Sequence, residues 1–281
     1  GHEATSQVMV KDSHIVLDGA GSTTDNQSSA IKIGKARVVG TGKGEFYSSG
    51  KMVIDASGAV GNAIKIAVSG SKLVADGANS SADIKANQSA LAIGANDWGS
   101  STDSTGIDAA FANAKLRTQS ADKPLLMVDS GQKNVAISFD RKSDLAAATN
   151  GYLIDVVNDR EATRSYWNTV FAAKARLAQL MGDTYSYNKY MAQIVNTPYA
   201  SSSSVKAIFN DQTVIEGLAN KSYANSVLDI DLSKGSIWNL KALGSGGKTS
   251  TFDTLHMTAD STLNAFNNSG TAAFIMKGKI V

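Results

Sequence analysis

Cysteine is absent from the 281 residues, which excludes disulfides, thiolate metal sites and thiol catalysis together. Proline occurs only at Pro124 and Pro198, aromatic residues make up 7% of the chain, and Glu and Leu are scarce outside one region, so long helices are not the expected framework. No apolar run approaches the roughly 18 residues that a membrane-spanning helix needs. An excess of one charge is lacking too. The formal net charge is +2, and the chain as a whole carries no Lys/Arg footprint for nucleic acid or an anionic membrane. The opening "GHEATSQ" lacks the basic and apolar character of a signal segment, and its His2 reads as an appended remnant.

What the chain does have is Ser, Gly, Asn and Asp between short apolar alternations. "HIVLDG" (14–19), "AIKIG" (30–34), "ARVVG" (36–40), "KMVID" (51–55), "KLVADG" (72–77) and "ALAIG" (90–94) each read as a strand closed by a turn residue. Residues 13–34 align with residues 71–94 over a gap of two, and this internal repeat suggests a solenoid. The grammar continues through "KPLLMVDSGQKNVAISFDRKSDL" and "GYLIDVVND", and resumes at "SVKAIFNDQTVIEG". The expected fold class is all-β, a right-handed parallel β-helix with an inserted α-helical hairpin. Residues 1–158 and 204–281 would form one rod and residues 159–203 the insertion. At roughly 25 residues per coil and 4.8 Å between coils, the rod would have about ten coils and a length of about 45 Å.

The stretch "DIDLSKGSIWNLKALGSGGKTSTFDTLHMTADSTLN" places Ser236, Trp238 and Leu240 ahead of Ser261, Leu263 and Asn264. This S-x-W-x-L grammar resembles that of autotransporter passengers of the pertactin-like and diffuse-adhesin-like kind from Gram-negative bacteria. Residues 120–281 are similar to that family apart from the insertion, and the first 120 loosely so. The resemblance implies a surface-displayed or secreted, virulence-associated adhesin and surface antigen. Its partner would be a host cell-surface or matrix component, or a second copy, and host antibodies would meet the same surfaces. It also implies export across the outer membrane, with membrane attachment only through a C-terminal barrel that lies outside these 281 residues, so that the chain reads as a passenger fragment.

Motifs for chemistry are thin, and no cofactor, metal or catalytic residue is expected. His2, His14 and His256 stand far apart in sequence. "VDSGQ" (128–132) superficially matches the surroundings of a serine nucleophile, but no base stands in a matching context. Gly-Gly-Lys-Thr within 243–251 resembles the end of a phosphate loop, yet no helix pattern follows it. Asp229 and Asp231 share one strand face and would serve a carbohydrate-active β-helix enzyme as a carboxylate pair or Ca²⁺ ligands. The favoured reading is a solvated face with Leu228, Ile230 and Leu232 inward. Trp238 reads as packing rather than as a sugar platform.

The exception to this grammar is "REATRSYWNTVFAAKARLAQLMGD" (160–183). Its apolar residues fall at helical spacing, Gly182 and Asp183 stop it, and "YSYNKYMAQIVN" (185–196) gives a second amphipathic segment. Residues 160–195 hold five Lys/Arg against two Asp/Glu, and six of the chain's aromatic residues. Trp167, Phe171, Met181, Met191 and Ile194 read as packing. Arg160, Arg164, Arg176, Tyr185 and Lys189 are the candidate partner contacts, since Arg and Tyr dominate binding hot spots. An alternative use of the same hairpin is as the working part of a secreted membrane-active, cohemolysin-like factor.

Overall fold

The computed structural model describes residues 5–19, 29–33, 43–59, 61–94, 103–148, 151–198, 201–240, 249–265 and 275–281. The chain is mostly β, dominated by a large parallel sheet, with two helices, an arrangement compatible with an all-β parallel solenoid. Most of the described strands form three stacks that the chain visits in a fixed order, while Ser104–Thr105 and Gln132–Lys133 pair in a separate two-stranded sheet. One stack contains Lys72–Ala75, Asp108–Ala112, Val135–Asp140, Ser204–Phe209, Val227–Leu232 and Thr249–Met257. The second contains Ser81–Ala86, Ala114–Thr118, Asp144–Ala146, Val214–Glu216, Ile237–Asn239 and Thr262–Asn264. The third contains Ser29–Ile33, Asn62–Ile66, Leu91–Ile93, Leu126–Val128, Tyr152–Val156 and Leu218–Asn220. Two long strands, Thr5–Gly19 and Lys43–Ala59, run through the corner between the first two stacks, with a register shift between Lys11 and Ser13.

Register follows from alternation, because side chains on one strand face recur every second residue. In the first stack Leu73, Ala109, Ile137, Ala207, Ile230 and Leu255 stand in one inward column. In the second, Ile54, Ile84, Leu116, Leu145, Ile215 and Trp238 do the same. In the third, Ile33, Ile66, Ile93, Val128 and Val156 are in register. These columns meet in one continuous apolar core. Phe111, Phe139 and Phe209 stack within it at centroid separations of 5.2 and 5.9 Å.

Serine at the corners has a defined task. A backbone N–H at a bend or at the first residue of a strand can lack a strand partner, and leaving it dry would cost about 1–3 kcal/mol. The hydroxyl of a Ser next to a neighbouring strand accepts from it instead: Ser143 from Ala114 N, Ser236 from Thr213 N, Ser203 from Gln132 N and Ser226 from Ser203 N.

The repeat inferred from sequence is half preserved. Its second strands, around Ile31 and Leu91, share the third stack through Ile64. Its first strands do not share a stack: His14 is in register with Val53, whereas Lys72 is in register with Glu45. Alternation of one period fits any inward column, so it could not tell one face from the next.

Helix α1 (Asp159–Leu180) and helix α2 (Thr184–Met191) interrupt the strands, leaving after Tyr152–Val156 and returning before Ser204–Phe209. The returning strand Ser204–Phe209 still pairs directly with Val135–Asp140, Ala207 in register with Ile137. Met181 ends α1, Gly182 takes a left-handed φ of 72°, and Asp183 N donates to Ala178 O at 2.9 Å while Gly182 N donates to Gln179 O at 3.1 Å. These two bonds close the helix in a Schellman turn. Asp183 then caps α2, its carboxylate accepting from Ser186 N at 3.0 Å, and the Ser186 hydroxyl, followed by this backbone bond, holds the carboxyl below its ordinary range. One residue thus ends one helix and starts the next.

Candidate functional site

The two helices pack on each other, and neither makes a comparable contact with a strand among the described elements. The seam is built from Phe171, Ala175 and Ala178, the buried apolar positions of α1, at a spacing that keeps them on one face. Trp167 stacks on Phe171 at 5.6 Å, and Phe171 on Tyr190 at 6.4 Å. Lys174 lies 5.8 Å from the Tyr190 ring centre. The hairpin is therefore packed chiefly on itself.

Its root is fastened to residues 128–132. On the outgoing side Val157 N donates to Val128 O, and the first turn of α1 is capped twice. Asn158 accepts from Glu161 N at 3.3 Å, and Asp129 accepts from Arg160 N at 3.1 Å and from Ser130 N at 2.8 Å through the same oxygen. On the returning side Gly131 N donates to Ser201 O at 2.8 Å, and Ser203 Oγ donates to Asp129 O at 2.6 Å. Both feet of the hairpin stand on one short segment. Gly131, with φ 75°, is required there: a Cβ would run into the Arg160 guanidinium and the Asp103 carboxylate.

Asp129 is 4% exposed. Burial, reinforced by the charge of Asp159, pushes its carboxyl up to about 7. The Asp-Ser-Gly of residues 129–131 is thus the anchorage of the hairpin. The Ser130 hydroxyl donates to Asn158 Oδ1 at 2.7 Å, so its hydrogen serves the cap.

The candidate contact residues divide. Arg160 is a correction: it is 4% exposed, its guanidinium reaching Ser130 O at 3.2 Å and Asp103 at 3.7 Å, because the first turn of α1 is pressed into the root. Arg164 also turns inward. Its Nη1 donates to Val195 O at 2.6 Å and its Nε to Glu161 at 2.8 Å, clamping the segment that leaves α2. Asn168 completes the clamp by exchanging two hydrogen bonds with the Val195 backbone. Arg176, Tyr185 and Lys189 are exposed, as is Lys174. Of the apolar residues expected to pack, Phe171 is buried and Trp167 and Ile194 are half-buried, but Met181 and Met191 are exposed. The small seam residues Ala175 and Ala178 bring the helices together and leave Met181 beyond the contact. That spacing of Phe171, Ala175 and Ala178 is the sequence signal that would have found the seam.

A cavity of about 370 Å³ opens beside the root, with Lys123, Pro124, Met127, Tyr152, Asp155 and Asp159 in its wall. Asp155 accepts from Ser222 N, Ser222 Oγ and Asn220 Nδ2, so both its oxygens are held by the adjoining loop.

The remaining motifs lie on the strands or outside the described residues. Asp229 and Asp231 lie on the outer face of the first stack, with Leu228, Ile230 and Leu232 inward, and Asp231 pairs with Lys206 at 2.8 Å. Trp238 is fully buried and its Nε1 donates to Gly217 O at 2.8 Å. His14 and His256 are exposed on separate strands, and no group of three metal-ligating side chains occurs among the described residues. His2 and residues 243–248 of the Gly-Gly-Lys-Thr stretch lie outside the described residues. No family model matches the chain, and no curated protein and no solved structure is significantly similar to it.

Proposed function

We propose that this chain is part of an autotransporter-type passenger, exported to the bacterial surface or released from it, that acts by contact rather than catalysis. In this reading residues 1–158 and 204–281 are coils of one right-handed parallel β-helix and residues 159–203 are a hairpin extruded from it. Three in-register parallel stacks visited in constant order support the solenoid, and the general hand of parallel crossovers supports its sense. The Trp238 of the S-x-W-x-L stretch filling an inward column is consistent with the passenger grammar. The proposed partner is a component of a host cell surface or its matrix.

The observation that carries the contact reading is the hairpin itself: a self-packed unit, rooted at one segment, that holds Arg176, Tyr185 and Lys189 in solvent. Natural loops that present side chains from a rigid scaffold are common binding devices. Excision of residues 159–198 behind a Gly-Ser linker tests it. Adhesion to cultured cells or immobilised matrix should fall to background while the β circular-dichroism signal persists. Undiminished adhesion by the excised protein would remove the hairpin from the function.

A further inference from the structure

Half of the large apolar side chains exposed among the described residues belong to the hairpin, and four of them gather at its far end. Leu177 is 59% exposed, Leu180 78%, Met181 75% and Tyr185 77%. Leu177, Leu180 and Met181 recur at three- and four-residue spacing, which places them on one helix face, and Tyr185 follows across the Gly182 bend in the first turn of α2. Single apolar residues on a surface call for no explanation, but a cluster on a projection does. Lys174, Arg176 and Lys189 are exposed on the same two helices. The one acid of the tip, Asp183, is committed to capping α2.

These features discriminate between occupants. A second copy would bring two cationic ends together, and would set one convex knob against another. A groove in a folded partner would have to be preformed around the knob. A lipid surface deforms around it, buries the apolar atoms at the headgroup boundary and supplies anionic groups for the cations, whose long stems let the charges stay in water. We infer that the hairpin tip is a shallow anchor for an anionic lipid bilayer, entered by Leu177, Leu180, Met181 and Tyr185 and oriented by Lys174, Arg176 and Lys189. No helix is long and apolar enough to cross a membrane among the described residues, so the tip dips and does not span. With its 22 residues rising about 1.5 Å each, α1 is about 33 Å long, and the apolar cluster lies at the end opposite the hairpin root. The near-neutral total charge conceals this footprint, because the hairpin's cations are diluted by the rod. The inference rests on the contact reading and specifies its partner.

Vesicle flotation of the full chain tests it, with phosphatidylcholine alone and phosphatidylcholine mixed with phosphatidylglycerol. The protein should float with the mixed vesicles only, and salt should release it. Leu180→Gln combined with Met181→Gln, both compatible with a helix, should reduce the bound fraction about tenfold or more. Each of Lys174→Gln, Arg176→Gln and Lys189→Gln should weaken binding about fivefold. Circular dichroism confirms that each variant keeps its helices. No flotation of the wild-type protein, flotation unaltered by the substitutions, or a concentration-dependent dimer abolished by Leu180→Gln would each overturn the lipid assignment. Parallel cell adhesion keeps the two ideas apart. Adhesion without flotation defeats the lipid partner alone, whereas adhesion that survives excision of the hairpin defeats the contact reading beneath it.

Discussion

Asp129 serves two opposed demands, accepting from two backbone N–H groups at the hairpin root while being almost sealed from water. Its carboxyl is raised from 3.8 to about 7, first by burial and then by Asp159. The native state therefore holds a proton that the unfolded chain releases between about pH 4 and pH 7. Stability from this group is fullest below that window and is lost as pH rises through it, by on the order of 4 kcal/mol. Asp129→Asn keeps an oxygen acceptor for both amides and removes the titration. Urea unfolding at pH 5 and pH 8 should show the wild-type protein losing stability toward pH 8, and the variant losing much less. Equal slopes would show that Asp129 does not titrate in this range. Trp238 offers a second residue-scale measurement. Fully buried and bonded to Gly217 O, it should cost about 3–5 kcal/mol as Trp238→Ala. Trp238→Phe should cost far less, chiefly the lost hydrogen bond of about 1 kcal/mol. The burial of Trp238 was legible from its place in an alternating strand. The role of Asp129 was not, because Asp-Ser-Gly looks alike as turn, nucleophile motif or anchor until Asn158 and Arg160 are brought against it.

The hairpin coheres through a narrow seam, since Phe171, Ala175 and Ala178 are the buried apolar positions of α1 and α2 has none among its described residues. Such a unit opens more readily than a core shared by many strands. Phe171→Ala should remove the centre of the Trp167–Phe171–Tyr190 stack and weaken the hairpin by about 3 kcal/mol. Hydrogen exchange should then show the amides of α1 and α2 losing protection while those of Val135–Asp140 and Ser204–Phe209 keep theirs. Loss of protection in both would mean that hairpin and sheets unfold as one. The helices themselves were readable from helix formers, periodicity and the Gly182–Asp183 stop. The direction of Arg160 and Arg164 was not, since composition marks a cation as exposed by default. Only the return of the chain past Val195, and the narrow space above Gly131, turn them inward.

Among the described residues most contacts join residues distant in sequence, chiefly neighbours in a stack. Short-period alternation announced the parallel strands and their inward faces but left the assignment of each strand to a stack undecided, as the different positions of His14 and Lys72 show. The hairpin is the largest interruption of this order. The Gln132–Ser203 hydrogen bond joins residues 71 apart, whereas the next step of the same ladder, Ser203 to Ser226, joins residues 23 apart. Closing the longer loop costs the unfolded chain about 1 kcal/mol more entropy by the logarithmic rule. Excision of residues 159–198 removes that cost, and also removes the need to bury Arg160. Both feet already stand on residues 128–132, so a short linker spans the gap without displacing Ser201 or Ser203. The excised protein should therefore unfold in urea with a stability equal to that of the full chain or up to about 1 kcal/mol higher, and should refold several-fold faster. A loss of several kcal/mol would mean that the hairpin supports the stacks, and that its insertion is part of how the two halves of the chain find their register.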